Sequence, residues 1–406
     1  MSNNRPIPPA TLRWLGGAPG QCALRAMAAE GSEATPALIE RWRRRLPAEY
    51  VGAAFTQITL RRRARAKFTR ADDMLFDAEG LEQASGEIVA TYKAQRFAGL
   101  RRVVDLCCGI GGDSLAIAGY CDVVAVDRDA TRVALTLHNA AAYGRANRIA
   151  GICADVTTWY PPGDAMHIDP SRREGGRRRH RIAEAQPPPA FLDQLVASEP
   201  AVAIKLGPAA DFDAIAHWNA EIELISEDGE CRQAVAWCGR LRRVHRSATV
   251  LPSAERIEVA DEAGLAPPPQ GELRVGDILV EPDAAVIRAH LVGEMARRFG
   301  LHGIDPKLAY LAGREPIVSR LGTCFRVVET GPWSLATVRR RLKAQGIGRI
   351  EIKTRGFVAD PADLAARLRL EGDQRGVLVV TRVHGRPMYV LSHRVLVQPE
   401  MENRPS

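Results

Sequence analysis

The sequence predicts an α/β protein: a mostly parallel sheet at the centre, a helical region before it and a smaller α+β block after it. Three observations predict this. Between residue 101 and about residue 262, short apolar β runs alternate with helical patterns, as strands joined by crossover helices do. Residues 11 to about 98 look mostly helical. A mixed pattern then starts at Glu272, after a proline-rich segment (residues 263–271, AGLAPPPQG) with the composition of a stiff linker. The expected blocks are 1–98, 99–262 and 272–400. A chain of 406 residues suits two or three domains, because single cores rarely grow beyond roughly 250 residues.

In the first block Thr35-Pro36 opens a helix to residue 45, with Thr35 as cap and Pro36 at the first helical position, where its missing N–H costs nothing. Residues 80–97 read as one further helix ahead of the sheet. Five runs read as strands: 102–106, 122–126, 149–153, 165–168 and 201–206. They are mostly continuous and apolar, which suits strands buried on both faces. Asp129 caps a helix carrying Val133, Ala134, Leu137 and Ala141, ended by Gly144. Residues 221–226 and 232–237, joined by Glu227-Asp228-Gly229, read as a hairpin. In the third block residues 284–299 read as an amphipathic helix. From Cys324 the order is strand 325–329, helix 334–345, strand 349–353, helix 361–370, and strands 377–383 and 388–391. This βαβαββ order predicts a small sandwich with one face of its sheet open.

Composition narrows the class of function. No stretch of about 18 uncharged apolar residues exists, and residues 1–10 are polar and proline-rich, so neither a membrane span nor a secretory leader is expected. The eight cysteines form no CxxC pair, which points to reduced thiols in a cytoplasmic protein. His138, His180 and His217 read as surface residues, and no metal site is expected. The net charge of +8 points to a polyanionic partner, nucleic acid first. Much of that charge is arginine in an alanine-rich chain, as a GC-rich genome would produce. Such bias swaps lysine for arginine but does not create the excess of positive charge.

The candidate ligand site begins where the strand 102–106 runs into Cys107-Cys108-Gly109-Ile110-Gly111-Gly112-Asp113. Glycines suit a turn that is tight and lets the backbone approach a ligand. Packing of helix on sheet could ask for the same residues. Asp127 ends the second strand, 16 residues beyond Gly111, where a carboxylate can accept both hydroxyls of a ribose. Asp155 follows the third strand, where a side chain can reach an adenine amino group. Asp105 sits just before the glycines, near where the amino group of a methionine would lie. Any one of these aspartates could simply cap a helix. Together they stand at consecutive strand ends and face one crevice, the usual ligand position in an open α/β sheet.

These residues carry a family resemblance. VVDLCCGIGGDSLAIA, VVAVDRD and ICADVTTW resemble motifs I, II and III of class I methyltransferases, and most closely the trimethylguanosine synthase-like group. Five βα units followed by a hairpin is also the layout of that Rossmann-like class. The upstream run GLEQASGEI resembles the group's helix ahead of motif I, with Ser85 at a threonine position and Gly86 replacing a proline. The likeness covers roughly residues 80–160. It implies S-adenosyl-L-methionine as cofactor, bound by Asp105, Gly109, Gly111, Gly112, Asp127, Asp155 and Ser85. EPDAAVIRAHL and EIKTRG are similar to runs in bacterial methyltransferases with a C-terminal THUMP-like domain. THUMP domains bind structured RNA, so this second likeness implies an RNA partner.

The reaction centre is expected at His167-Ile168-Asp169-Pro170-Ser171-Arg172-Arg173. Methyltransferases acting on amino groups often carry Asn/Asp/Ser-Pro-Pro and an aromatic there. The first residue holds the amine in line with the methyl, because positioning dominates the barrier. Asp169 and Pro170 keep that half of the pattern and are the candidate catalytic residues. Ser171 and Arg172 depart from it, so an aromatic clamp would have to come from elsewhere. Asp-Pro-Ser-Arg also resembles a C5-pyrimidine methyltransferase motif, but that chemistry needs a cysteine after the fifth strand. The sequence has Lys205-Leu206-Gly207-Pro208 there. Arg172, Arg173, Arg177, Arg178, Arg179, His180 and Arg181 form a basic loop that can fork phosphates, with Arg172 and Arg173 nearest the site. A solvated basic loop would look the same. The expected function is methylation of RNA, with N-methylation of a base favoured. The rivals are a methyltransferase for a small molecule or protein, and a catalytically silent RNA adaptor that binds the cofactor.

Overall fold

Short helices open the chain, each started by a proline or by a capping oxygen. They are α1 (Pro9–Gly16), α2 (Ala18–Glu30), α3 (Pro36–Arg43) and α4 (Ala48–Ala64). The computed structural model describes residues 7–31, 33–170, 173–174, 177–178 and 186–396. Thr35 caps α3 as expected, its hydroxyl accepting from the Leu38 amide at 3.3 Å. Leu15, Leu24, Met27 and Ala54 bury the inner faces of α1, α2 and α4.

The expected helix over 80–97 is two helices, α5 (Ala78–Gln83) and α6 (Glu87–Ala94). The reason lies in Lys67. Its ammonium collects the carbonyls of Leu81, Glu82 and Ala84 at 2.8, 3.0 and 3.0 Å. Those carbonyls are then capped by a cation instead of by the next turn. Ala84 and Gly86 take extended conformations, and the chain restarts at Glu87.

The sheet follows in the expected order: β1 (Arg102–Leu106), α7 (Gly112–Ile117), β2 (Asp122–Asp127), α8 (Ala130–Ala142), β3 (Ile149–Cys153) and β4 (Ala165–Ile168). Two short paired strands, β5 (Arg173–Glu174) and β6 (Arg177–Arg178), precede α9 (Pro189–Ser198) and β7 (Ala201–Leu206). β8 (Glu221–Glu227) and β9 (Glu230–Gly239) are joined by a turn with Asp228 and Gly229 both at positive φ, 54° and 76°. That is the tight hairpin turn the sequence signals.

The chain divides into two units, residues 1–220 with 234–242 and residues 221–233 with 243–406. In the first unit the strands run β7-β4-β1-β2-β3, all parallel, with β9 antiparallel on β7. Strand order reverses between β1 and β4, which is where an open α/β sheet leaves its ligand crevice. β4 and β7 are buried along their whole length, which accounts for their mostly apolar runs, interrupted by His167 and Lys205. Residues on both sides of residue 98 belong to this first unit. Asn139 of α8 donates to the carbonyls of Leu75 and Ile110 at 3.1 and 2.9 Å and accepts from the Leu75 amide at 2.8 Å. One buried amide thus ties the helical region to the glycine turn.

In the second unit β8 pairs with β10 (Arg246–Leu251), parallel to it, and β10 pairs in turn with β11 (Glu255–Val259), antiparallel; neither strand is expected from the sequence. The segment expected as a linker packs against this unit, with the Ala266 carbonyl so close to Gly293 that a Cβ there would sit 1.8 Å from it. The remaining elements are β12 (Ile278–Pro282), α10 (Ala284–Arg288), α11 (Val292–Phe299), β13 (His302–Gly303), β14 (Leu311–Gly313), β15 (Gly322–Pro332), α12 (Leu335–Ala344), β16 (Ile347–Arg355), α13 (Pro361–Leu368), β17 (Gln374–Val383) and β18 (Arg386–Val395). The helix expected over 284–299 breaks at His290, whose φ is 59°.

A seven-stranded sheet orders these strands β13-β14-β12-β15-β18-β17-β16. The βαβαββ succession from β15 onward is as expected. The open face is not. α12 and α13 bury Val338, Leu342 and Leu364 with Leu378 and Val380. Phe325, Val327, Val377 and Val379 pack with Leu279, Leu308 and Tyr310 in a second core. The segment between β13 and β14, with Ile304, Leu308 and Tyr310, supplies this cover, which the sequence does not signal. Among the described residues no helix is long and apolar enough to cross a membrane.

Candidate active site

The turn after β1 is built by positive φ at Cys107 (64°), Gly109 (58°) and Gly111 (89°). The amide of Cys108 donates to the Val126 carbonyl at 3.0 Å and pins the turn to β2. The glycines serve different ends. A Cβ on Gly111 would lie 2.9 Å from the Thr136 methyl of α8, so this glycine is required by helix packing. A Cβ on Gly112 would lie 3.1 Å from the Ser85 carbonyl. A Cβ on Gly109 would meet nothing within 4 Å, so here the turn faces open space.

Asp127 closes one side of that space. Its two carboxylate oxygens accept from the amides of Gly109 and Asp129, each at 3.0 Å. Burial raises its carboxyl above the ordinary value, with those two amides acting the other way. Asp129 caps α8 through the Thr131 amide at 2.8 Å. Asp155 is exposed and accepts from the Thr157 hydroxyl and amide at 2.7 and 2.9 Å, which holds its carboxyl below the ordinary value. Its side chain turns the loop after β3.

Asp105 faces inward. It is 1 % exposed, and its oxygens are taken by the ring of His167 at 2.7 Å and the hydroxyl of Ser114. His167 is its register partner on β4. The expected position beside a ligand's amino group is therefore occupied by a buried strut that binds β1, β4 and α7 together. Ser85 is also buried, donating to Asp113 at 2.8 Å.

Asp113 leads to residues the sequence reading missed. Lys93 of α6 pairs with it at 2.6 Å, and both side chains are almost wholly buried. Burial alone would raise the Asp113 carboxyl, yet Lys93, His167 and Lys205 hold it well below the usual carboxylate range. Lys205 of β7 stands 4.0 Å from Asp113 and 2.6 Å from Asp169 Oδ2, and donates to the Gln83 carbonyl at 3.1 Å. Two ammoniums and two carboxylates thus form a charge-balanced group under the strand ends. A signal existed: lysine in the fully buried run AVAIKL and histidine in AMHI are rare placements that demand a partner.

Asp169 follows β4 directly, its amide bonded to the Leu106 carbonyl of β1 at 3.3 Å. Its side chain is 28 % exposed, and Pro170 is buried. Ser171, Arg172, Arg179, His180 and Arg181 lie outside the described residues, and only the backbone is described for Arg173, Arg177 and Arg178. Burial pushes the thiols of Cys107 and Cys108 up, so neither is a ready nucleophile. Among the described residues no group of three His, Cys, Asp or Glu side chains is placed to hold a metal ion.

An open parallel sheet with a glycine turn, an acid at the next strand end and free space above Gly109 defines a nucleotide-cofactor fold. Comparison with known proteins makes it specific. Residues 100–219 match the family described as RNA cap guanine-N2 methyltransferase, residues 322–394 one described as THUMP domain-like, and residues 8–64 a domain of unknown function. An uncharacterised S-adenosylmethionine-dependent methyltransferase of Mycobacterium tuberculosis H37Rv is 35% identical over 339 residues, covering 80% of this chain and 90% of that protein. Its counterpart in strain CDC 1551 gives the same values. A crystal structure of a methyltransferase-type protein of Porphyromonas gingivalis W83 has a TM-score of 0.76 at 20% identity, over 93% of this chain and 98% of that one, a likeness of fold alone. The chain belongs to the S-adenosylmethionine-dependent methyltransferases. It is an enzyme of the Rossmann-like class with a C-terminal THUMP-like region, and S-adenosylmethionine is its cofactor.

Proposed function

We propose that this chain methylates RNA, on an exocyclic amine of a base. The observation that carries the reading is Asp169, a carboxylate at the end of β4, held by Lys205 and next to the turn that opens above Gly109. The likeness of residues 100–219 to a guanine-N2 family and of residues 322–394 to THUMP domains supports RNA as the acceptor.

The cofactor supplies a methyl group on a positively charged sulfur, open to in-line attack by a lone pair. Asp127 would accept the ribose hydroxyls, and Asp155 the adenine amino group. Gly109 leaves the room, while Gly111 and Gly112 let the turn close on α8 and on the Ser85 segment. Asp105 and Ser85 act from beneath, through His167, Ser114 and Asp113. Asp169 would accept one N–H of the acceptor and aim its lone pair at the methyl, with Pro170 fixing the backbone. The N–C bond would form as the methyl–sulfur bond breaks, S-adenosylhomocysteine would leave, and the nitrogen would lose one proton to solvent. Misplacement by an ångström costs on the order of 100-fold in such a step. Arg172 and Arg173 would fork phosphates of the same RNA. Residues 99–262 would hold the chemistry, residues 1–98 would brace it and residues 272–400 would present the RNA.

Nucleosides from the RNA of cells lacking the gene, compared with the parent strain by mass spectrometry, test this. The expected result is loss of one N-methylated base from the mutant. Identical nucleoside profiles would overturn the reading and favour a protein or small-molecule acceptor, or a silent adaptor.

A further inference from the structure

We infer that Lys205 is a positioning residue for methyl transfer, which fixes the Asp169 carboxylate so that one oxygen is spent on the protein and the other is left for the acceptor. The inference rests on the role proposed above for Asp169.

Lys205 could be thought a mere counter-ion for buried Asp113, but the distances say otherwise. Asp113 already has Lys93 at 2.6 Å and the Ser85 hydroxyl at 2.8 Å. Lys205 is 4.0 Å from Asp113 and 2.6 Å from Asp169 Oδ2. It also donates to the Gln83 carbonyl at 3.1 Å, at the end of α5. Its ammonium is therefore held from two sides, by a backbone carbonyl on one element and a carboxylate on another. Lys205 is 7 % exposed, so the bond to Asp169 is a charge-assisted one in a medium that screens poorly. Asp169 lies one residue beyond β4, where its amide bonds to the Leu106 carbonyl, and Lys205 is the described side chain that holds its carboxylate.

A consequence follows for the substrate. Oδ2 is committed to Lys205, and Oδ1 is the oxygen that meets the acceptor. A carboxylate held as an acceptor selects a nucleophile that brings a hydrogen to donate, as a primary amine does and a bare ring nitrogen does not. Asp113 below, already paired with Lys93 and the Ser85 hydroxyl, stands 4.0 Å from Lys205, so the shorter bond of Lys205 is the one to Asp169.

The test is a double-mutant cycle in the full-length protein. Lys205→Met and Asp169→Asn are made singly and together. Turnover and KM are measured with tritiated S-adenosylmethionine and total RNA from cells lacking the gene, beside titration with S-adenosylhomocysteine. Lys205→Met is expected to lower kcat about 100-fold while KM and the cofactor Kd move less than about threefold. In the Asp169→Asn background the same change should remove less than about a further threefold, because the partner is already lost. Lys205→Arg keeps the buried charge and shifts the donors, and its smaller deficit should vanish in the same background. This holds the cycle open if Lys205→Met does not fold. Equal losses in both backgrounds, or none, would overturn the inference. If the wild type transfers no methyl to RNA, the acceptor proposed above is wrong. A crystal structure of Lys205→Met or Lys205→Arg with S-adenosylhomocysteine then decides: a displaced Asp169 carboxylate supports the inference and an unmoved one overturns it.

Discussion

Asp127 is the side chain on which cofactor affinity should most depend, because it works in two directions. Inward, it accepts from the amides of Gly109 and Asp129 and so shapes the turn. Outward, it would take the ribose hydroxyls. Hydrogen bonds to a charged group contribute roughly 1.5–3 kcal/mol, so Asp127→Ala should raise the Kd for S-adenosylhomocysteine about 10–100-fold by calorimetry. An unchanged Kd would show that the ribose is held elsewhere. The cap Asp129 was legible because its partner amide is two residues on, and Asp127 because the apolar pattern fixes the strand end it occupies. Lys93, Asp113 and Lys205 were not. Their pairings join α6, α7 and β7, and nothing in one dimension says which buried charge meets which. Asp105 shows the other limit. Its place at a strand end could be read, but the inward pull of His167 on β4 could not.

At the scale of elements, the turn between β1 and α7 separates stability from binding. Gly111 has φ 89° and a Cβ there would press on Thr136 at 2.9 Å. Gly111→Ala therefore combines left-handed strain, roughly 1–2 kcal/mol, with overpacking of about 1–3 kcal/mol. Gly109→Ala carries the strain alone, since nothing lies within 4 Å of its Cβ position, but its methyl projects into the space where the cofactor is proposed to bind. Urea unfolding should show the larger loss for Gly111→Ala, and titration should show the larger rise in Kd for Gly109→Ala. The reverse order would mean that the crevice does not lie above Gly109. The parallel strands were legible as mostly continuous apolar runs. Helix ends were harder where a distant side chain sets them: Lys67 stops α5, and no local signal in residues 80–97 reveals it.

At the scale of the whole molecule, three blocks were expected and the chain divides into two units, each built from segments on both sides of residue 234. The hairpin of β8 and β9 is the cause, since β8, which pairs with β10, and the turn after it belong to the second unit while residues 234–239 pair with β7. A proline-rich composition looked like a linker at 263–271, yet the segment is packed against Gly293. Composition reports stiffness, and it does not report whether a stiff segment is docked. What joins every scale is Asp169, the residue proposed above to position an amine for methyl transfer. The most direct test is tritiated-methyl transfer into total RNA from cells lacking the gene, with wild type and Asp169→Ala run beside cofactor titrations. The predicted result is transfer by wild type and loss of most turnover in Asp169→Ala, with the cofactor Kd changed by less than about threefold, or under roughly 0.7 kcal/mol. Full turnover by Asp169→Ala would contradict the account.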